Sequence, residues 1–213
     1  SPHVIKTWPS DRPRTHLFVA MEFIDGQTLA QWMRDSPHPG LDSARSIIEQ
    51  LAQGLQALHR REMLHQDLRP ENVMIDHQGT VKLIDLASAH VEGLAECHRD
   101  ALVTPVPGTL QYIAPEYLLG QGGSQRSELF ALAAITYQML TGQLPYGLDL
   151  ARVRSPQDLR SLRYVPVRHH RPELPTWVDA VLAKALQPDP ARRQEVISEF
   201  IQDLKAPGAQ FKN

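Results

Sequence analysis

Three polar side chains with a defined spacing lie in the middle of the 213-residue chain. Asp67 and Asn72 are five positions apart in the segment HQDLRPEN, residues 65–72, and Asp85 follows the apolar residues 83–84. A carboxylate can accept a proton, and carboxylate and amide oxygens are the ligands that hard divalent cations prefer. One aspartate alone carries little information, because most aspartates are solvated or cap helices. The combination of a polar loop, a short hairpin and a second aspartate indicates a catalytic site.

This pattern resembles the catalytic loop of protein kinases, His-Arg-Asp-x-x-x-x-Asn, and the metal-binding Asp-Phe-Gly that follows it. The resemblance implies that Asp67 accepts or orients the proton of a substrate hydroxyl, and that Asn72 and Asp85 hold Mg²⁺ on the phosphates of ATP. Arg69 stands where serine/threonine-specific members usually carry a lysine near the transferring phosphate. The resemblance therefore implies transfer of a phosphoryl group from ATP to serine or threonine hydroxyls of a protein substrate.

An earlier segment, MEFI at residues 21–24, resembles the gatekeeper and hinge of the same family. The resemblance implies that Met21 is the gatekeeper and that main-chain groups near Glu22 and Ile24 meet the edge of adenine. Met74, just after the catalytic loop, would form part of the apolar floor under adenine. Without the resemblance, these residues would be read as a buried strand and a core methionine.

Two later segments follow in the order that the family predicts. Gly108-Thr109 and the APE sequence at residues 114–116 resemble the end of the activation segment, where Thr109 would contact Asp67 beside the substrate. The sequence DPARR at residues 189–193 resembles the family's late Asp-Pro-x-x-Arg motif. The resemblance implies a buried ion pair between Glu116 and Arg193, with a structural role.

Three departures from the family pattern change the expectations. Gln66 replaces the arginine that collects an activation-loop phosphate, so activity is predicted not to require phosphorylation of that loop, for example at Thr104. Asp85 is followed by Leu-Ala in place of Phe-Gly, and Ala87 lacks the backbone freedom of glycine. Glu128 stands where relatives use an aspartate to tie the catalytic loop to the central helix, and we expect that link to survive with adjusted geometry.

The start of the chain resembles the end of the family's small lobe. Nothing before His3 matches a Gly-rich phosphate loop, its strand lysine or that lysine's glutamate partner, and the first residue is serine. Residues 1–25 are predicted to form the end of the small lobe and the hinge, residues 26–207 the large lobe and residues 208–213 a tail. Without an upper wall for ATP, this chain alone is expected to be inactive or nearly so.

Hydrophobic periodicity predicts mostly helices with a few short strands, a mainly α fold of the α+β class. The resemblance implies that this fold is the C-terminal lobe of a protein kinase, with a hinge strand and a catalytic-loop hairpin and without the small lobe. A long helix is predicted from residue 42, capped by Asp42 or Ser43. The other predicted elements are helices over 28–34, 127–141, 175–187 and 192–204, and strands over 17–21, 72–75 and 81–84. Residues 87–108 show no sustained period and are predicted to form a long loop.

Composition excludes several other functions. Lys and Arg number 22 and Asp and Glu 24, a net charge of −2 that gives no footprint for nucleic acid or an anionic membrane. The single Cys97 cannot form an internal disulfide, which fits the cytoplasm. The uncharged residues 129–148 are broken by Gly142 and Pro145, so they are predicted to form a buried helix rather than a membrane span. The ten histidines show no zinc-type spacing, and His65 is predicted to be a buried packing residue.

A narrower resemblance concerns wording typical of bacterial members, such as TLQYIAPEY at residues 109–117. It is similar to bacterial proteins that join a metal-dependent serine/threonine phosphatase domain to a kinase domain, often with a C-terminal membrane anchor. That resemblance implies a parent protein at the cytoplasmic face of the inner membrane, with no membrane contact by this segment.

The principal alternative is a pseudokinase-like binding or scaffolding domain. Gln66, the Leu-Ala pair at residues 86–87 and Glu128 favour this alternative. Retention of Asp67, Asn72 and Asp85 favours the enzyme, because a scaffold has no physical need for all three.

Overall fold

The computed structural model describes residues 1–8, 19–91, 109–206 and 208. Helices α1 to α8 dominate it, and seven short strands form three small sheets. The helices are α1 (Leu29–Asp35), α2 (Leu41–His59), α3 (Pro115–Leu118), α4 (Gln125–Thr141), α5 (Pro156–Ser161), α6 (Val167–His170), α7 (Thr176–Ala185) and α8 (Ile197–Lys205). Short 3₁₀ helices cover Pro70–Asn72, Thr109–Gln111, Leu150–Arg152 and Pro190–Arg192. The mainly helical α+β class predicted from the sequence is confirmed.

The strands pair in antiparallel fashion within each sheet. They are β1 (Thr7–Trp8), β2 (Ala20–Met21), β3 (Gly26–Thr28), β4 (Met63–Leu64), β5 (Val73–Asp76), β6 (Val81–Leu83) and β7 (His90–Val91). The sheets are β1–β2, β3–β5–β6 and β4–β7. The predicted hairpin is β5–β6, and its turn is closed by Asp76, whose Oδ1 accepts hydrogen bonds from the amides of Gln78 and Thr80 at 2.9 and 2.8 Å.

Helix α4 is the centre of the core. Its side chains are buried on every face over most of its length, so it is apolar all round and surrounded by protein. Ser124 caps it in a capping box with Ser127, and Gly142 ends it with a left-handed backbone at φ 70°. The buried helix predicted within residues 129–148 is therefore confirmed. Among the described residues, no helix combines the length and the apolar character needed to cross a membrane.

Helix α2 buries one face against α4, α8 and β6. The buried positions recur at helical spacing, as predicted: Ile47, Ile48, Leu51, Leu55 and Leu58. The predicted cap is wrong, because the helix begins at Leu41 after Gly40, and neither Asp42 nor Ser43 makes a capping bond. Asp42 instead lies in the first turn, where its charge suits the helix dipole, and pairs with Arg45 at 3.1 Å.

The N-terminal segment is bound to β6. The Ile5 amide donates to the Leu83 carbonyl and the Leu83 amide donates to the His3 carbonyl, both at 2.9 Å. The approach is close enough to require glycine on α2, since a Cβ at Gly54 would lie 2.7 Å from the His3 carbonyl oxygen. Residues 3–5 are thus fixed to the strand that leads into Asp85.

Two further sequence predictions need correction. The strand predicted over residues 17–21 is described from residue 19, and its side chains are exposed rather than buried, with Met21 52% accessible. Among the described residues, β2 pairs only with β1. The exposure of its side chains shows that no second layer of described residues covers it. The last helix starts at Ile197, because Arg193 is extended (φ −78°, ψ 171°) and directs its guanidinium into the core. The predicted loop at residues 92–108 lies outside the described residues.

Candidate active site

Asp67 and Asn72 form a directly bonded pair. The Asn72 side-chain amide donates to the main-chain oxygen of Asp67 at 2.9 Å and to its Oδ2 at 2.8 Å. The 3₁₀ turn Pro70–Asn72 creates this contact by folding the chain back. Within the turn, the main-chain amide of Asn72 donates to the Arg69 carbonyl. Asn72 is buried and Asp67 half-buried, so the Asp67 carboxylate is held at the protein surface with one oxygen oriented.

Ile84 connects this loop to Asp85. The Ile84 amide donates to the Asn72 carbonyl at 2.9 Å, and the Ile84 carbonyl accepts from His65 Nε2 at 3.1 Å. Both main-chain groups of the residue before Asp85 are therefore fixed by the loop that contains Asp67. Asp85 is exposed and has a left-handed backbone at φ 59°, and its Oδ1 accepts from the Ala87 amide at 3.2 Å. His65 is fully buried, as predicted.

Glu128 of α4 fixes the main chain of the catalytic loop. Its Oε1 accepts hydrogen bonds from the amides of His65 and Gln66, the second at 2.9 Å. Its Oε2 bonds to His59 Nε2, which lies at the end of α2. Glu128 is 3% accessible, so the link is shielded from solvent. The predicted link from the central helix to the loop is confirmed.

Gln66 takes a left-handed backbone conformation at φ 65° and exposes its side chain. Non-glycine residues adopt this region at a cost. The hydrogen bonds from the His65 and Gln66 amides to Glu128 help to hold this conformation. This left-handed residue comes directly before Asp67, which is half-buried.

Arg69 is bound within its own loop. Its Nε donates to Glu71 Oε2 at 2.8 Å. This hydrogen bond is the main reason that the Arg69 pKa is raised. The pKa of Glu71 is lowered, because the bond from Arg69 and the nearby charges outweigh the opposing effect of burial. The guanidinium thus stays charged beside Asp67.

A groove of about 330 Å³ lies against this loop. Glu71 and Pro70 form one wall, and Tyr112 and Gln138 contribute polar groups, with the Tyr112 hydroxyl donating to Gln138 Oε1 at 2.6 Å. Burial raises the pKa of Tyr112 to about 12, so the hydroxyl remains a neutral donor. The groove can hold a short extended segment beside Glu71.

The predicted hinge lies at the end of β2. The Glu22 carboxylate bonds to Lys82 Nζ at 2.6 Å and accepts from the Lys6 amide at 2.9 Å. The hydrogen bond from Lys82 is the largest cause of the lowered pKa of Glu22. Among the described residues, no group pairs with the Glu22 carbonyl or the Ile24 amide, which leaves a main-chain acceptor and a donor for a planar ligand.

The two predicted methionines differ in their surroundings. Met74 is half-buried in β5 opposite Thr28, next to the catalytic loop. Met21 is exposed, as are Trp8, Val19 and Phe23, the last 88% accessible. The exposed set gives an apolar edge on the hinge side of the described chain.

The residues present fit a magnesium ion bound with a nucleotide. The Asn72 amide nitrogen is occupied by Asp67, and no described residue donates to its Oδ1. No group of three or more His, Cys, Asp or Glu side chains that could hold a metal occurs in the described part of the chain. The Asn72 Oδ1 and the Asp85 carboxylate are oxygen ligands of the kind that Mg²⁺ accepts, and Mg²⁺ commonly completes its shell with phosphates and water.

The predicted Glu116–Arg193 pair is confirmed. The two side chains form a fork with both N–O distances at 2.8 Å and accessibilities of 4% and 0%. Arg193 also donates to three main-chain carbonyls, so all five of its N–H groups are bonded. The side chain of Thr109 lies outside the described residues, and its predicted contact with Asp67 stays a prediction.

Two residues that hold parts of the site in place were not predicted from the sequence. His59 binds Glu128 across 69 positions, and Lys82 binds Glu22 across 60. The alternation of β6, with Lys82 between buried Val81 and Leu83, indicates that Lys82 faces away from the core. Nothing in the sequence identifies its partner.

Comparison with known proteins identifies the family. The family described as the protein kinase domain matches residues 1–203. The chain belongs to the protein kinase family. It is similar to serine/threonine-protein kinase PknB of Mycolicibacterium smegmatis, with 33% identity over 94% of this chain and 32% of the relative. It is also similar to the kinase PknA of Corynebacterium glutamicum, with 30% identity over 91% of this chain and 41% of the relative.

A third relative is the kinase PrkC of Bacillus subtilis, with 24% identity over 96% of this chain and 31% of the relative. The chain thus spans about a third to two-fifths of the length of these relatives. The resemblance to serine/threonine kinases of bacteria is confirmed at the level of the family.

Proposed function

We propose that this chain carries the catalytic half of a serine/threonine protein kinase, which transfers the γ-phosphoryl group of ATP to protein hydroxyls. One observation carries the proposal: Asn72 binds Asp67 through its amide nitrogen and keeps its oxygen unbonded among the described residues. Ile84 fixes Asp85 to the same loop. A proton acceptor and two metal ligands are therefore held by one set of hydrogen bonds.

Asp67 would accept the proton of the attacking serine or threonine hydroxyl as its oxygen forms a bond to the γ-phosphorus and the bond to the β-phosphate oxygen breaks. Asn72 and Asp85 would hold Mg²⁺, which when bound neutralises charge on the phosphates. Arg69 would place a positive charge near the transferring group, oriented by Glu71 at 2.8 Å. The groove beside Glu71 would receive the substrate segment that contains the hydroxyl.

The hinge would bind the base of the nucleotide. The Glu22 carbonyl and the Ile24 amide, which have no partner among the described residues, are the acceptor and donor that an adenine edge requires. Met21 would lie at the back of this site and Met74 beneath the base. The Lys82–Glu22 pair would keep the hinge in register with the strand that leads to Asp85.

The remaining parts of the enzyme would come from protein outside this chain. The proposal assigns residues 1–25 to the end of a small lobe and the hinge, residues 26–207 to the large lobe and residues 208–213 to a tail. A preceding small lobe would cover the exposed apolar edge near Met21 and clamp the phosphates. We further propose that the whole gene product is a bacterial protein of the cytoplasm, with a fused phosphatase domain and a membrane tether.

The alternative is a scaffold that has lost phosphoryl transfer, favoured by Gln66 and by the Leu-Ala pair at residues 86–87. The deciding experiment measures transfer from γ-labelled ATP to a generic protein substrate by the whole gene product. Asp67→Asn and Asp85→Asn should each abolish transfer, whereas Asp149→Asn, at an exposed aspartate elsewhere, should not. Absence of both transfer and Mg-ATP binding in the unaltered protein would favour the scaffold.

A further inference from the structure

A second groove, of about 760 Å³, shares no lining residue with the groove beside Glu71. It lies between α5, the end of α3 and the 3₁₀ turn Pro190–Arg192. Its apolar walls come from half-buried leucines and prolines: Leu119, Leu159, Leu162, Pro188 and Pro190. Prolines and packed leucines give a wall that needs little ordering when a ligand binds.

The charge around this groove is one-sided. Arg160 and Arg163 are exposed, and neither makes a hydrogen bond or an ion pair with any part of the chain that the structure describes. Arg192 lies on the same rim, with its Nε 3.8 Å from Asp189 Oδ2 and both side chains largely exposed. The exposed rim of the groove therefore carries three arginines and one aspartate: Arg160, Arg163, Arg192 and Asp189.

The one other carboxylate in the lining does not offset this charge. Glu116 is buried and is bonded by both terminal nitrogens of Arg193 at 2.8 Å. Its charge is thus already neutralised within the core. By comparison, the exposed Arg152 outside this groove pairs with Asp149 at 3.2 Å.

We propose that this groove docks an acidic segment of a protein substrate, whose carboxylates pair with Arg160 and Arg163 and whose apolar side chain packs on Leu159. The inference rests in part on the proposed kinase function, since it assigns a role in substrate recognition to a surface separate from Asp67. A planar guanidinium suits paired recognition of carboxylates. A nucleic acid is disfavoured, because three arginines among apolar walls do not form a basic stripe on this chain of net charge −2.

The binding test uses this chain and a fluorescein-labelled peptide in which glutamates flank two leucines. Fluorescence anisotropy should show binding that weakens with added salt and with replacement of the glutamates by glutamine. Serine in place of the leucines should also weaken it. The double variant Arg160→Glu/Arg163→Glu should lower the affinity by about tenfold or more.

The matched control is Arg152→Glu/Arg168→Glu, which makes the same change in net charge at exposed arginines outside the groove lining. It should change the affinity by less than about twofold. Equal losses in the two double variants, no binding of the acidic peptide, or equally strong binding of a single-stranded oligonucleotide would each overturn the docking site.

A kinetic test with the whole gene product separates this inference from the proposed function. For a substrate that carries the acidic segment, Arg160→Glu/Arg163→Glu should raise KM about tenfold and leave kcat unchanged. A substrate without that segment should be unaffected. Transfer that occurs with identical KM values in the two proteins would refute docking alone, whereas absence of any transfer would count against the kinase and leave the anisotropy result to decide the groove.

Discussion

The catalytic loop and the hinge are held in the structure by different means. At the catalytic loop, Glu128 accepts two main-chain amides from within the core at 3% accessibility, and His65 is fully buried. At the hinge, Phe23 is 88% accessible and the Glu22–Lys82 pair is 17% accessible on each side. The loop is therefore ordered by buried polar bonds, and the hinge by a partly solvated ion pair.

This difference separates two requirements of the proposed reaction. Proton transfer and metal binding need side chains held within a fraction of an ångström, and hydrogen bonds to buried groups such as Glu128 provide that order. Recognition of a base edge needs main-chain groups along an extended segment, such as the Glu22 carbonyl and the Ile24 amide. In the proposed enzyme, the residues for the chemistry would thus be positioned by contacts within this chain, whereas the described residues form one wall of the proposed base site.

Two ion pairs, Glu116–Arg193 in the core and Glu22–Lys82 at the hinge, offer the largest test of the difference between buried and partly solvated bonds. Arg193→Met should lower the free energy of unfolding by roughly 3–5 kcal/mol, because Glu116 keeps a buried charge without its partner. Lys82→Met removes the same charge from the hinge side and should cost less than about 1 kcal/mol. Urea unfolding of this chain followed by circular dichroism measures both. Similar losses of stability in the two variants would contradict the difference between a buried and a partly solvated ion pair.

Removal of the link from α4 to the loop should have the next largest effect. Glu128→Ala leaves the His65 and Gln66 amides and His59 without their acceptor, at a cost of roughly 2–3 kcal/mol. If the protein is the proposed kinase, displacement of Asp67 should also lower kcat by about a hundredfold.

The conservative variant Glu128→Asp keeps the carboxylate and should recover most of the activity of the whole gene product. Recovery distinguishes a positioning role from a general loss of folding, which far-ultraviolet circular dichroism monitors independently. Full activity of Glu128→Ala would show that the buried bonds do not order the loop.

The catalytic loop was also the region that the sequence predicted best. Asp67, Asn72 and Asp85 lie in one short stretch, so local chain geometry brings them together, and the hairpin between them follows from β-prone runs and Gly79. The Glu116–Arg193 pair was predicted through the family resemblance rather than through any local signal.

The hinge side was predicted less well, for physical reasons. The apolar residues 19–21 have the composition of a buried strand, but burial depends on which surfaces cover them, and that information is not local. His59 and Lys82 were missed because each binds a carboxylate at least 60 positions away. The cap of α2 was misassigned because Asp42 can serve equally as a cap or as a first-turn charge.

Acidity should weaken the ion pair between Glu22 and Lys82. Because its pKa is lowered in the folded chain, Glu22 contributes stability above its ordinary value of 4.5, and this contribution is lost as the pH falls through the lowered pKa. The stability difference between the unaltered chain and Lys82→Met should therefore shrink below pH 4.5.

Urea unfolding at several pH values measures that difference, with Lys205→Met as a control for loss of an exposed lysine. Lys205 pairs with Glu49 at 2.7 Å but is about half exposed, so its effect should be small throughout. A Lys82→Met difference that persists unchanged in acid would show that the ammonium acts by packing rather than by its bond to Glu22.

The smallest expected effect concerns phosphorylation at Thr104, which lies outside the described residues. In relatives an arginine before the catalytic aspartate binds such a phosphate, and here Gln66 is neutral and exposed. Glu128 already holds the Gln66 amide at 2.9 Å, so the loop has an anchor that needs no phosphate. If the protein is the proposed kinase, Thr104→Ala should therefore leave kcat of the whole gene product within about twofold of the unaltered value. Loss of activity in Thr104→Ala, with recovery in Thr104→Glu, would mean that a charge from outside completes the order of the loop and that the buried bonds are insufficient by themselves.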